Sequence, residues 1–410
     1  MKLLNVDTLD EAREKLLSAA SGKSPAAEKV SLKESFGRIL ARDVRSEDNI
    51  PGFRKSTVDG YAVRAADTQG AGDSIPVFLK VVETVAMGEA PEKKIEPGQA
   101  AYVPTGGMLP EGADAMVMIE YCEKFDENSI AVYDSVSPGR NMVAAGEDVS
   151  AGQVIMEKGT RITAREAGVL ASSGVHMPEV FAPWKVSIIS TGDELVAADV
   201  KPEPGQVRDI NTYSLLAATA GKGFETVSTA VIKDEENLLE KAVEEAFKTS
   251  DVVLVSGGSS QGDKDHTARV IDRLSHGGVF THGIALKPGK PTILGYDGES
   301  QTILAGLPGH PAAALMVFEL LIGWLHRKLT GQKEPLSVPA VITENVPAAG
   351  GRTTCQMVKL EKEPGGTYSA RPLHGKSALM TTLTRADGYT MIGVNREGIN
   401  EGDTVEVILF

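Results

Sequence analysis

Cysteine is nearly absent from this chain of 410 residues. Cys122 and Cys355 lie far apart and match no zinc or redox spacing, which excludes a disulfide scaffold and predicts free thiols in a reducing cytosol. Positive charge is also short: 42 Lys and Arg stand against 56 Asp and Glu, a formal net charge of −14. A sequence-independent nucleic-acid binder neutralises phosphates with excess Lys and Arg, so that class is excluded, although local basic pockets are not. No apolar run reaches membrane length. The longest, 312–325, is interrupted by Glu319 and predicts a buried helix rather than a span. The opening MKLLNVDTLDEAREKLLSAA lacks the apolar core of a signal peptide, and its leucines recur at helical spacing behind a capping box of Thr8 and Glu11. Low-complexity tracts and fixed-period repeats are absent as well.

What is present is ordinary globular composition, 41% hydrophobic and 24% charged, in a length that fits about two to four domains. Residues 8–20 and 32–40 read as helices, the second opened by Ser31 with Glu34 three places on. From about Asp43 to Pro183 short alternating runs broken by Gly and Pro predict β-rich modules, one inserted within another, with a single helix over 163–172. After Trp184 the pattern becomes strand, glycine turn, helix: KVSIISTGDEL, NTYSLLAATAGKG, FETVSTAVI, ENLLEKAVEEAFK and DVVLVSGG predict a doubly wound α/β domain reaching about Lys328. Beyond a linker at 331–335 the chain alternates again and ends GDTVEVILF, a small β-barrel or sandwich.

In an open α/β sheet, ligands bind beyond the carboxyl ends of the strands. Two glycine turns fall there: Ser190-Thr191-Gly192-Asp193-Glu194 and Ser256-Gly257-Gly258-Ser259-Ser260. The second continues as QGDKDHTARV, with the glycine spacing of a phosphate loop but Asp263 in place of the Walker lysine and Asp265 two places on. Carboxylates fit a phosphate cradle when a divalent ion bridges them to phosphate oxygens, so the loop reads as a site for Mg²⁺ and an anion. Taken singly, Asp193, Asp209 and Asp234 read equally well as helix caps. Leu286-Lys287-Pro288-Gly289-Lys290-Pro291 sets two lysines on a stiff turn suited to an anion, and Gly306-Leu307-Pro308-Gly309-His310-Pro311 opens a helix toward one. Upstream, Asp59-Gly60 is a good hairpin turn that needs no function.

The ordered set PGFRKSTVDGYA, VPTGGMLPEGADAMVMIE, GRNMVAAGEDV, STGDEL, VRDINTYSLLA, SGGSSQGDKD, KPGKP, GLPGHPAAAL and EGDTVEVIL resembles the MoeA family of molybdopterin molybdenumtransferases, which includes the C-terminal domain of gephyrin. The resemblance implies a dimer with four parts per chain: an elongated discontinuous part at 1–50 and 149–182, an inserted β-rich domain at 51–148, a molybdopterin-binding α/β domain at 183–330 and a C-terminal β-barrel at 331–410. It implies insertion of molybdate into adenylylated molybdopterin with Mg²⁺ and release of AMP, at a site completed across the subunit interface. Catalytic positions carried over are Asp59, Thr105, Glu194, Asp234 and Asp265, with metal positions at Asp265, Glu194 and Asp148. Cofactor-binding positions are Ser190, Thr191, Gly192, Ser256, Gly257, Gly258, Ser260, Lys287, Lys290, Pro308 and Pro311, with Arg371 and Ser377 in the barrel.

Some positions depart from the family pattern: His310 stands at the usual Asn, Val58 at the usual Met and Asp263 at a usual Glu. Implied partners are a second copy of the chain, a molybdopterin adenylyltransferase and molybdoenzyme acceptors, with neither nucleic acid nor membrane. Two rival readings are the adenylylating step of the same pathway, which would consume ATP, and a non-catalytic scaffold of gephyrin type, for which no extra domain or long linker is present.

Overall fold

The computed structural model describes residues 6–257, 266–348, 350–375 and 380–410. Helix Leu9–Ala19 begins at Thr8, whose hydroxyl accepts from the Glu11 N–H while the Glu11 carboxylate accepts from the Thr8 N–H, the expected capping box. Its buried face, Leu9, Ala12 and Leu16, packs into the core of the α/β sheet rather than into the elongated part assigned to 1–50. Burying the two leucines contributes ~2 kcal/mol each.

The helix expected over 32–40 is a single 3₁₀ turn, Leu32–Glu34. Its Ser31–Glu34 capping box forms, but Gly37 at φ 78° turns the chain, and Leu40 donates to Thr160 O while Ile39 and Leu40 bridge Arg161 and Val180. Strand pairing with distant residues overrides the local helical signal there.

Segments before and after the β-rich stretch pair as nested antiparallel ribbons: Ala27–Lys29 with Glu179–Phe181, Val44–Arg45 with Val154–Met156, and Lys55–Ser56 with Met142–Val143. Between the two strands of the last ribbon runs a six-stranded mixed sheet whose strands lie within 60–132. Helix Ala164–Ser172 begins at a Thr163–Glu166 capping box, as the sequence predicts.

The α/β sheet runs Glu225–Ile232, Lys185–Thr191, Val252–Ser256, Thr302–Leu307, Ile293–Asp297, Val279–His282. Its first four strands are parallel; the last two are antiparallel additions. Alternate residues serve opposite faces. Val252 and Leu254 join the core under helices Leu9–Ala19, Asn211–Lys222 and 311–330, while Val253 and Val255 join the core under Glu236–Phe247 and His266–Leu274. Helices therefore cover both faces, as in a doubly wound fold.

The predicted buried helix spans 311–330 and contains a π turn at Phe318–Gly323. Glu319 interrupts its apolar run at little cost because Lys222 (2.6 Å) and Arg327 (2.7 Å) pair with it. Among the described residues no helix is long and apolar enough to cross a membrane. Cys122 and Cys355 are free, and burial pushes both thiols up to about 12.

At the C-terminus Thr353–Lys362 pairs with both Tyr368–Pro372 and Gly388–Ile392, and these continue through Ser337–Ile342 and Thr404–Leu409, closing a five-stranded barrel. Its interior holds Ala340, Ile342, Val358, Ala370, Val405 and Val407.

Candidate functional site

Parallel register sets Ser190 beside Ser256 and Ser256 beside Leu307, so three strand ends and their turns lie together. They open into a cleft of about 460 Å³ lined by Thr191, Gly192, Glu194, Asp234, Gly257, the turn from Leu286 to Pro291, the residues Pro308 to His310, Ala313 and Arg352. This is the position, past the carboxyl ends of the strands, where such sheets bind ligands.

The two glycine turns touch. A Cβ on Gly257, whose φ is +100°, would lie 2.1 Å from Thr191 O. The Thr191 hydroxyl donates to Asp234 Oδ1 at 3.3 Å, and the Asp234 N–H donates to Asp193 Oδ1 at 3.2 Å. Asp209 Oδ1 accepts from the Thr212 N–H at 3.2 Å. The capping reading therefore fits Asp209, whereas Asp193 and Asp234 brace one loop against the other.

Ser190 and Ser256 are buried and engaged in the wall. Ser190 Oγ lies 2.9 Å from Thr212 Oγ1, and Ser256 Oγ accepts from Asn211 Nδ2 at 2.5 Å. The same amide donates to Gly309 O at 2.9 Å, tying helix Asn211–Lys222 to the Pro308-Gly309 turn. Asn211 was not singled out from the sequence, where it is one polar residue at a helix start.

The cleft carries charge of both signs. Glu194 is exposed and Asp234 half-buried on one side; Lys287 and Arg352 are exposed and Lys290 half-buried on the other. None of these three cations has an ion-pair partner among the described residues. The lysine turn is held by Ile284 N–H donating to Lys290 O (2.9 Å) and by Thr292 Oγ1 donating to Gly289 O (2.7 Å). Gly289 admits no side chain, since a Cβ would meet Val317 Cγ2 at 2.8 Å.

Arg352 is a residue that sequence reasoning missed. Leu286–Lys287 pairs in parallel with Thr353 and Thr354 of the barrel, and this delivers the preceding Arg352 to the cleft. Arg371 does not line it; it is exposed on the barrel, 3.7 Å from Glu361. Pro311 is buried as the first residue of its helix, behind the lining, and His310 stands at the rim without capping that helix.

The upstream positions form their own group. Asp59 Oδ1 accepts from the Thr105 N–H at 2.8 Å, so these two exposed residues are brought together. Gly60 follows because its strand passes so close to Val117 that a Cβ would lie 2.0 Å from that carbonyl oxygen. Asp148 is exposed, with its N–H on Ile50 O. None of the three lines the cleft. Gly258, Ser260, Asp265 and Ser377, with Ser259, Gly262 and Asp263, lie outside the described residues. Among the described residues no three His, Cys, Asp or Glu side chains converge as a metal cluster.

Comparison with known proteins agrees with this architecture. Residues 7–174 match the MoeA N-terminal region (domain I and II), 187–327 a probable molybdopterin binding domain, and 339–410 the MoeA C-terminal region (domain IV). A molybdopterin molybdenumtransferase of Bacillus subtilis is 32% identical over 94% of this chain and 90% of its own length; one from Haemophilus influenzae is 31% identical over 98% of each. The crystal structure of a molybdopterin biosynthesis MoeA protein from Pyrococcus horikosii superposes with a TM-score of 0.80 at 36% identity, covering 99% of both chains. The chain belongs to the MoeA family.

Proposed function

We propose that this chain is a molybdopterin molybdenumtransferase, which inserts molybdate into adenylylated molybdopterin and releases AMP in the cytoplasm. One observation carries the reading: a single cleft at the strand ends sets two carboxylates against three cations that have no other partner among the described residues. A diphosphate and an oxyanion need both kinds of wall.

Lys287, Lys290 and Arg352 are placed to attract molybdate and hold phosphate oxygens. The prolines of the turn reduce the entropy lost on binding. Gly257 lets the second turn pass against Thr191 O, and Gly192 leaves room for the Glu194 carboxylate. Glu194 and Asp234 fit Mg²⁺, which takes one or two carboxylates and completes its shell with phosphate oxygens and water; in this reading Asp265 joins them and Asp148 acts from outside the cleft. Bound there, the ion would supply charge neutralisation of the diphosphate. The protein's own contribution is electrostatic placement and orientation; the sulfur chemistry belongs to the pterin.

In this reading the chain divides at 1–50 with 149–182, 51–148, 183–330 and 331–410, with helix Leu9–Ala19 of the first part packed on the α/β core, and two copies form a dimer. Asp59 and Thr105, absent from the cleft of their own chain, then complete the cleft of the other subunit. Upstream, a molybdopterin adenylyltransferase hands over the substrate; downstream, molybdoenzymes accept the cofactor.

The test is product analysis with adenylylated molybdopterin, molybdate and Mg²⁺. Molybdate-dependent AMP release is expected. ATP consumption with free molybdopterin in its place would instead mark the adenylylating step, and partner capture without turnover would mark a scaffold. The shared site has its own test. Tandem-purified heterodimers of Asp59→Asn with Asp265→Asn keep one intact site of two, so about half of parental activity is expected. No recovery in a verified heterodimer would place both residues in one subunit's site.

A further inference from the structure

We infer that Asn211 is a positioning residue for the reaction proposed above: its side-chain amide fixes the spacing of two turns that line the cleft, so that a ligand meets both without first drawing them together. The inference rests on that proposed function. The parallel ladder between strands Val252–Ser256 and Thr302–Leu307 ends at the pair Ser256 and Leu307. Past it each strand enters its turn, and Gly257, Pro308, Gly309 and His310 line the cleft. The turns run close, since a Cβ on Gly309 would lie 3.9 Å from Gly257 Cα. Asn211 bridges them, donating from Nδ2 to Ser256 Oγ at 2.5 Å and to Gly309 O at 2.9 Å. One amide thus continues the ladder past its last backbone pair.

The partners fix which way the amide points. Gly309 O can only accept, so the nitrogen and not the oxygen of the side chain must face it. Asn211 is also free of local duty. It stands in the first turn of helix Asn211–Lys222, where short polar side chains usually bond the helix's own N–H groups, but there Asp209 Oδ1 accepts from the Thr212 N–H instead. Asn211 Oδ1 bonds nothing among the described residues. The side chain acts only as a donor, and both of its acceptors belong to other segments.

The residues around Asn211 hold the rest of the cleft as well. Val207 N–H donates to Glu194 O and Asp209 N–H to Val196 O, both at 2.9 Å, while Thr212 Oγ1 lies 2.9 Å from Ser190 Oγ. Residues 207–212 therefore tie the ends of three neighbouring strands to the turn that carries Glu194. Loss of the Asn211 amide leaves the ties to Glu194 and Ser190 in place and releases only the other two turns. Ordering those turns again then falls on binding. The cost appears in KM, and kcat changes little because the bound ligand has already reassembled the site.

Steady-state turnover of adenylylated molybdopterin and calorimetric titration with inorganic pyrophosphate test this on full-length Asn211→Ala and Asn211→Asp. The aspartate keeps the shape and can accept from Ser256, but at neutral pH it cannot donate to Gly309 O. Both variants should raise KM and weaken pyrophosphate binding about tenfold, with kcat within about threefold of the parent. A merely structural role gives the opposite split, because partial unfolding removes active sites, lowers kcat and leaves KM unchanged. Parent-like behaviour of Asn211→Asp would assign the effect to shape and overturn the inference. If Asn211→Ala fails to fold, Asn211→Asp decides alone; if neither melts cooperatively, Asn211 is a folding residue and the inference falls. Absence of turnover in the parent removes the proposed function by itself, and pyrophosphate then decides. Weaker binding by the variants keeps Asn211 as the residue that positions the turns for an anion, whereas equal binding, or none by the parent, overturns it.

Discussion

Gly257→Ala and Gly192→Ala add the same methyl group at two turns of one cleft, yet opposite outcomes are expected. At Gly257 the backbone has φ +100° and the new Cβ would lie 2.1 Å from Thr191 O, a main-chain atom at the end of a central strand. The left-handed conformation alone costs about 1–2 kcal/mol with a Cβ. Relieving a backbone clash adds about 1–3 kcal/mol, as overpacking does. A total of about 2–5 kcal/mol is a large share of a domain's stability. At Gly192 no positive φ is involved, and the nearest atoms are the Glu194 carboxylate oxygens at 2.8 and 3.0 Å. That side chain can swing away, and the lost glycine freedom offsets the cost by about 0.4–1 kcal/mol. Gly192→Ala should therefore unfold within about 1 kcal/mol of the parent while losing Mg²⁺-dependent turnover, because its methyl group takes the space of the carboxylate. Denaturant unfolding followed by tryptophan fluorescence is suitable, since Trp184 is buried in the α/β core. Turnover at several Mg²⁺ concentrations completes the assay. Parent-like stability of Gly257→Ala would refute the contact between the turns, and parent-like turnover of Gly192→Ala would remove Glu194 from the chemistry.

Lys287→Ala with Lys290→Ala should raise the molybdate concentration needed for half-maximal turnover, and added salt should affect the variant less than the parent. Arg352→Ala should weaken AMP binding measured by calorimetry, whereas Arg371→Ala, exposed on the barrel beside Glu361 and off the cleft lining, should not. Burial, with help from Arg161, Lys222 and Arg327, pushes the His326 imidazole down to about 3. The unfolded chain then binds one more proton between roughly pH 6.5 and 3, so stability falls as pH falls through that window, by about 1 kcal/mol per unit. His326→Gln should flatten this slope in unfolding curves taken across pH, and an unchanged slope would assign it to other groups.

How much could be read from residues alone differs between helices, strands and the cleft for physical reasons. Helix starts were legible wherever a hydroxyl and a glutamate stood three apart, because a capping box is a local pattern with a local cause; Thr8 and Thr163 show it. The same pattern at Ser31 formed its box and still yielded only one turn, since Gly37 and the distant partners of Ile39 and Leu40 are not local. In the α/β sheet the runs of Val, Ile and Leu mark strands, but both faces are buried, so alternation cannot tell which residue faces which helix layer. Strand Ile293–Asp297 is hidden in the sequence for a related reason. Its apolar residues stand between two prolines upstream and a glycine turn downstream, in a stretch that also reads as loop.

The cleft follows the same division. Its glycine turns and lysine turn are compact motifs and were recognised as such. Arg352 is recruited by a two-residue parallel pairing between Leu286–Lys287 and Thr353–Thr354, across a sequence gap that no periodicity spans. That pairing holds Arg352 on the wall that carries Lys287, so that one anion can meet both. Loosening the junction between lysine turn and barrel should therefore weaken anion binding even with all three cations intact, because the cations would have to be positioned anew on binding.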